Sequence, residues 1–174
     1  MFRYLVVMLI PCILIVLIYF STLKGIENYT IDFNYNMLEK SKDMLETRIS
    51  ELDNIVEQIS RIPKVICYNY FTQPFEGPNT YKTLETREHL YDYTLTNNLV
   101  FDYYLVFLNS NIIMGVEQTY RMEQFYDYFF MYEGMKYEQW YEEISRNFDK
   151  GSYLPERKVI FKDKEYNFIT YVVT

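Results

Sequence analysis

The sequence predicts an α+β chain, in which an N-terminal transmembrane helix continues into a long helix and an antiparallel sheet with flanking helices follows. Three observations support this. Residues 4–23 are an uncharged and largely apolar run, residues 27–62 have helical spacing, and beyond residue 100 the apolar residues alternate with a period of two. Helices followed by strands in hairpins are typical of an α+β architecture. We expect residues 1–24 to be the membrane anchor, 25–62 a stalk or support helix, and 63–174 a mixed domain.

The membrane anchor is predicted from the length and charge of the first segment. A helix of about 20 residues spans a bilayer core roughly 30 Å thick. Tyr4 and Tyr19 lie near the two ends of the run, where aromatic rings prefer the interface. A cleaved signal peptide and a buried core helix are the alternatives, but no small-residue cleavage site follows the run. Arg3 favours a cytoplasmic N-terminus, so we expect one span in the cell membrane, with the domain outside the cytoplasm.

The stalk helix has an apolar seam with heptad spacing. Lys42 fills one position of the seam, and Pro63 ends the helical pattern because it lacks a backbone donor. The seam packs either on the chain's own domain or on a second copy. We expect the upper part of the seam, toward Pro63, to support the domain. We expect the lower part, toward the membrane anchor, to form the stalk of a homodimer. The seam residues are Leu38, Leu45, Ile49, Leu52, Val56 and Ile59.

The rest of the chain alternates helical and strand patterns. We predict a helix over residues 81–96 with Asn79 or Thr80 as its cap, followed by a hairpin with strands from 101 and 112 and a turn at 109–111. Two helices then follow, over 122–132 and 137–147. A loop at 153–155 leads to a second hairpin, which turns at 162–164. The last residues are still within a strand pattern. We therefore expect the chain to belong to a longer protein, with the domain incomplete at its C-terminus.

Composition and motifs exclude several classes of function. The chain has 17 Lys+Arg against 24 Asp+Glu and a net charge of −7, so we expect no contact between this segment and nucleic acid. His89 is the only histidine and is expected on the surface. The sequence has no Cys/His cluster with metal spacing and no glycine-rich phosphate loop. Glu117, Glu142 and Glu143 are interpreted as surface carboxylates. We predict no enzyme, no metal site and no cofactor.

Aromatic residues are unusually frequent, with 20 Tyr and 13 Phe. Packing in the core and at interfaces explains most of them. The remainder fit a pocket with aromatic walls and a few polar groups, which is a common form of small-ligand site.

The sequence resembles a family of bacterial sensors. The Leu9-Ile10-Pro11 motif is similar to the first span of membrane-anchored sensors with Cache-type domains. The stretches YYLVFLNSNIIMG, FYDYFFMYEGMKYEQWYEEI, YLP and FITYVVT resemble the sensor half of membrane-bound AraC-type transcriptional regulators. Sensor histidine kinases of the same outer architecture are a close alternative. The resemblance implies a PAS/Cache-like sheet with a ligand pocket on one face, then a second membrane helix and a DNA-binding helix-turn-helix.

Within this resemblance we predict a ligand site near Tyr104, Arg121, Trp140 and Tyr141. Arg121 is the basic residue near the hairpin exit and is the candidate contact for an anion or a hydroxyl group. Some Cache domains hold an amino acid through an Arg two residues before a Trp-Tyr pair, but this chain has Glu138 there. The reversed charge disfavours a carboxylate ligand at that point. The partner is an unidentified small molecule or protein. An anchored interaction module with no small ligand is the alternative.

Overall fold

The computed structural model describes residues 2–146 and 151–173, with side chains at residue 11 and from residue 13 onward. Contacts divide the chain into two compact units, residues 1–50 and 51–174. The first unit consists of most of helix α1 (Phe2–Ser60). Part of the predicted anchor, including Leu9 and Ile10, lies outside the residues whose side chains are described. Among the described residues, no helical stretch combines the length and the apolar character that crossing a membrane requires.

The second unit is α+β and contains two antiparallel sheets of three strands each. Its elements are the end of α1, α2 (Pro63–Tyr68), α3 (Pro78–Glu88), a 3-10 turn (Tyr93–Leu95), β1 (Leu105–Phe107), β2 (Ile112–Met114), β3 (Thr119–Arg121), α4 (Met122–Tyr128), β4 (Phe130–Tyr132), α5 (Tyr137–Ile144), β5 (Ser152–Phe161) and β6 (Lys164–Val172). The strands pair in sequence order as β1-β2-β3 and β4-β5-β6. The predicted α+β class and the long N-terminal helix are confirmed.

The two predicted hairpins are confirmed, but the first strand of the first hairpin begins at Leu105 and not at residue 101. Phe107 pairs with Ile112 across a turn in which Asn111 has a φ of 54°. Phe161 pairs with Lys164 across Lys162 and Asp163, which have φ values of 48° and 64°. Two consecutive residues with positive φ are the geometry of a tight turn whose twist matches that of the flanking strands.

Several predicted boundaries are wrong, among them the end of the helix predicted over 137–147, which stops at Ile144. The helix predicted over 81–96 with Asn79 or Thr80 as its cap runs from Pro78 to Glu88, and its N-cap is Gly77. Asp92 accepts a hydrogen bond from the Thr94 N–H to begin the separate 3-10 turn. The helix predicted over 122–132 ends at Tyr128, because Phe130–Tyr132 pairs with β5 as a strand. The loop predicted at 153–155 lies inside β5, where the register shifts between Leu154 and Arg157 around the proline.

The first sheet separates two hydrophobic cores. On one face, Phe107, Ile112 and Met114 pack with Tyr68 and Leu90. On the other face, Ile113 belongs to a larger aromatic cluster that includes residues of α4, α5 and the second sheet. Because successive strand residues point to opposite faces, β2 is buried on both sides. This arrangement determines which face each predicted ligand residue occupies.

Candidate functional site

Tyr104 lies on the face of the first sheet that meets the larger core. Its ring packs edge-on against Phe125 with 4.7 Å between centroids. The phenol donates a hydrogen bond to Asp102 Oδ2 at 2.5 Å, and the other carboxylate oxygen accepts the Tyr103 N–H at 2.8 Å. Burial raises the pKa of Tyr104, and the bond to Asp102 raises it further. Desolvation of its carboxylate likewise raises the pKa of Asp102. The phenol thus stays protonated and acts as a donor.

Trp140 is a core residue and Tyr141 lies at the edge of the same core. Trp140 is 4% exposed and packs between Tyr126 and Tyr137, with centroid distances of 5.0 and 6.0 Å. Gln139 fixes the start of this helix by accepting a hydrogen bond from the Lys136 N–H at 3.0 Å. Tyr141 is half-buried, and its ring lies 5.9 Å from that of Tyr137. Neither ring lines either of the two clefts described below.

Arg121 is the exposed last residue of β3 and lies on the opposite face of the first sheet. It pairs with Ile112, which belongs to the smaller core, whereas the adjacent Tyr120 pairs with Ile113 of the larger core. The guanidinium lies 5.7 Å from the centre of the Phe75 ring. The predicted site residues therefore divide between two faces of the sheet, with Arg121 on one and Tyr104, Trp140 and Tyr141 on the other.

A cleft of about 130 Å³ surrounds Arg121. Thr72 to Glu76, Ser110 and Ile112 complete its wall. Within the described residues, the Arg121 guanidinium forms no ion pair, either with the nearby Glu123 or with another carboxylate. The cleft thus offers a cationic donor, an aromatic ring and the carboxylate of Glu76 within a volume suited to a small molecule.

Arg157 lines a second cleft together with Tyr132 and Lys158. It also pairs with Glu143, which the sequence predicts as a surface carboxylate and which is instead largely buried. Arg157 donates to both carboxylate oxygens of Glu143, at 2.5 and 2.8 Å. The two side chains are only 27% and 16% exposed, and the guanidinium also lies 5.3 Å from the centre of the Tyr132 ring. The ion pair raises the pKa of Arg157. The sequence does contain a signal for Glu143. It follows Trp140 by three residues on the same helix, so Glu143 lies beside the face that packs into the core.

We expect Arg157→Met to lower the free energy of unfolding by about 2 kcal/mol, because it leaves a largely buried carboxylate without its partner. The double variant Arg157→Met/Glu143→Leu should recover part of this loss, since no unpaired charge remains. Urea unfolding of the full chain in detergent, followed by Trp140 fluorescence, measures both. Additive losses in the double variant would contradict a coupled pair.

Comparison with known proteins does not identify a match for this chain. No protein family, no curated protein and no solved structure matches this chain. Ligand contact by Tyr104, Arg121, Trp140 or Tyr141 stays a prediction.

Side-chain hydrogen bonds within the second unit hold the C-terminal end of α1. Asp53 accepts a hydrogen bond from the Tyr171 phenol. Gln58 accepts one from Tyr93 at 3.0 Å, and Asn97 donates to Glu51 at 3.5 Å. Burial, followed by the contact with Asp53, raises the pKa of Tyr171 to about 12. These bonds connect β6 and the 3-10 turn region to the helix that continues into the first unit.

Proposed function

We propose that this chain is the extracytoplasmic signal-sensing region of a membrane-bound bacterial transcription regulator of the AraC type. In this proposal the second unit is a PAS/Cache-like sensor domain, and residues 1–24 anchor it to the cell membrane. Ligand binding biases the domain between two arrangements, and α1 relays the difference through the stalk to the membrane. A homodimer is the signalling unit.

The observation that carries this proposal is the continuity of α1. It is a single helix of 59 residues, and its last part is held in the second unit by Tyr171, Tyr93 and Asn97. A packed helix moves as a unit when its contacts at one end change, and such helix shifts are a common element of switching proteins. A domain attached in this way can convert a change in its sheet into a displacement of the helix.

The cleft beside Arg121 is the part of the predicted site that an incoming molecule can reach. Its exposed guanidinium is suited to a carboxylate, phosphate or hydroxyl group, and the Phe75 ring offers an apolar wall. A volume of about 130 Å³ restricts the ligand to a small metabolite. Tyr104, Trp140 and Tyr141 belong to the core on the other face of the sheet and do not line this cleft.

We expect at least one small anionic or hydroxylated compound in a metabolite library to raise the melting temperature of the full chain in detergent. A tenfold excess over Kd stabilises by about 1.4 kcal/mol. Arg121→Ala should abolish this rise. Arg61→Ala, which removes a guanidinium from an exposed pair with Glu57, should preserve it. A folded domain that no compound stabilises would count against direct sensing of a small molecule.

An anchored interaction module is the second candidate, and exposed aromatic side chains favour it. Tyr70 and Tyr81, beside α2 and on α3, are 83% and 69% exposed. Large exposed apolar groups mark protein interaction surfaces when they form a continuous patch. Two results together would favour this function over ligand sensing. The first is a metabolite screen in which no compound stabilises the chain, and the second is a chemical cross-link from the chain to a partner protein that is lost after Tyr70→Ser and Tyr81→Ser.

A further inference from the structure

The apolar seam of α1 is longer than the sequence analysis predicts, and its lower part is exposed. With Leu45 at heptad position d, the other d positions between residues 31 and 59 are Ile31, Leu38, Leu52 and Ile59. Ile59 is buried in the second unit at 6% exposure, whereas Leu38 and Leu45 in the first unit are 71% and 64% exposed. The chain's own domain therefore covers the upper end of the seam. Among the described side chains of the first unit, none covers the lower part.

We infer that residues 31–49 of α1 pair with the same residues of a second copy as a parallel, in-register, two-stranded coiled coil. This inference deepens the proposed function, because it specifies the contact through which the homodimer transmits its signal. An aliphatic residue at every d position from 31 to 45, with Ile49 at the neighbouring a position, is the pattern of a heptad interface. Apolar burial drives the pairing, and anchoring both copies in one membrane raises their effective concentration.

The charges beside the seam favour the parallel direction. The e positions of these heptads are Asp32, Glu39 and Glu46, all acidic. In an antiparallel pair e positions face e positions, so any alignment places carboxylates against carboxylates. In a parallel in-register pair e positions face g positions, and two of the three g residues, Asn34 and Ser41, are uncharged. Flanking charges of this kind set the orientation of coiled coils.

Lys42 occupies the central a position of this segment. Its ammonium lies 3.5 Å from Glu46 of the same helix, so the charge has a partner even with the stem packed in the seam. A single polar residue at an a position fixes the register and weakens the coil. Lys42 thus restricts the two helices to one register and weakens their pairing at the centre of the stalk. Weak pairing at the centre suits a helix pair that changes its arrangement during signalling.

Disulfide cross-linking tests the geometry in the full chain. All variants carry Cys12→Ser and Cys67→Ser, and membranes of the expressing cells are oxidised with copper phenanthroline. In a parallel in-register coil, residue 38 faces residue 38 and residue 45 faces residue 45, at a separation that a disulfide can bridge. Leu38→Cys and Leu45→Cys should therefore each yield covalent dimers. Lys40→Cys and Thr47→Cys, on the far face of the helix, should yield at least about fivefold less, since their side chains point away from the partner.

Each other outcome overturns the inference. Positions 38 and 45 are about 10 Å apart along the helix, so an antiparallel or staggered pair can cross-link at one of them but not at both. Cross-linking at neither position above the level of the Lys40 and Thr47 controls would exclude this face as an interface. These results do not depend on a ligand or on an output domain, so they stand apart from the metabolite screen that tests the proposed function.

The central lysine provides a second readout. Lys42→Ile should increase the cross-linking rate of Leu38→Cys by about tenfold, because it replaces a polar a residue by a buried aliphatic one. Lys40→Ile on the opposite face is the matched control and should leave the rate within twofold. An unchanged or lower rate for Lys42→Ile would overturn the placement of residue 42 in the seam.

Discussion

Trp140→Ala is expected to lower the free energy of unfolding by about 3–5 kcal/mol, because it removes a buried aromatic side chain and leaves a cavity. The ring is 4% exposed and lies between Tyr126 and Tyr137. No rearrangement of one neighbour can fill so large a volume. Because the variant lacks the chain's only tryptophan, unfolding in urea is followed by the near-ultraviolet circular dichroism of its tyrosines.

Tyr141→Ala is the matched control, since it lies on the same helix and is half-buried. Its loss should be at most half that of Trp140→Ala, because less area is returned to water. The comparison also separates two roles for Trp140. A wall of an open ligand site would tolerate truncation with a loss below about 1 kcal/mol, which is the ordinary cost of a substitution outside the core, and that result would contradict the core position.

Gly151→Ala should have the second largest effect, through Tyr171. A Cβ at position 151 would lie 1.8 Å from the Tyr171 phenol oxygen and 2.2 Å from the ring carbon that bears it. The Tyr171 ring must therefore shift, and the shift disturbs its hydrogen bond to Asp53. Overpacking of this kind costs about 1–3 kcal/mol, measured by urea unfolding with Trp140 fluorescence.

A double-mutant cycle identifies the cause. In a Tyr171→Ala background the clash is absent, so Gly151→Ala should cost less than about 0.5 kcal/mol. Tyr171→Phe keeps the ring and removes the hydroxyl group, and it should cost about 1 kcal/mol, the net worth of one hydrogen bond. An equal loss from Gly151→Ala in both backgrounds would show that Tyr171 is not the group that the new methyl meets.

The elements that the sequence predicts correctly are those whose signal is local. Pro63 marks the helix end, and α1 stops at Ser60 with Pro63 opening the next helix. The turn at Lys162 and Asp163 joins two strands of alternating pattern, as predicted. The errors arise where a distant partner decides. Residues 130–132 continue a helical pattern but pair with β5, and residues 153–155 carry turn residues but lie within β5.

The candidate site was less predictable than the fold for a related reason. Tyr104 and Arg121 are close in the hairpin sequence, yet the strand register places them on opposite faces of the sheet. Arg157 and Glu143 are distant in sequence and on different elements, so only the folded chain brings them together. The four predicted residues share aromatic or cationic character, which indicates a kind of contact but does not fix a position.

Sequencing the gene beyond the codon for Thr174 tests the central claim most directly. The proposed function predicts a second apolar span followed by a basic helix-turn-helix of the AraC type. A kinase core with a phospho-acceptor histidine would contradict the regulator and assign the chain to a two-component receptor. A stop codon with no further domain would contradict both receptors and leave the anchored interaction module.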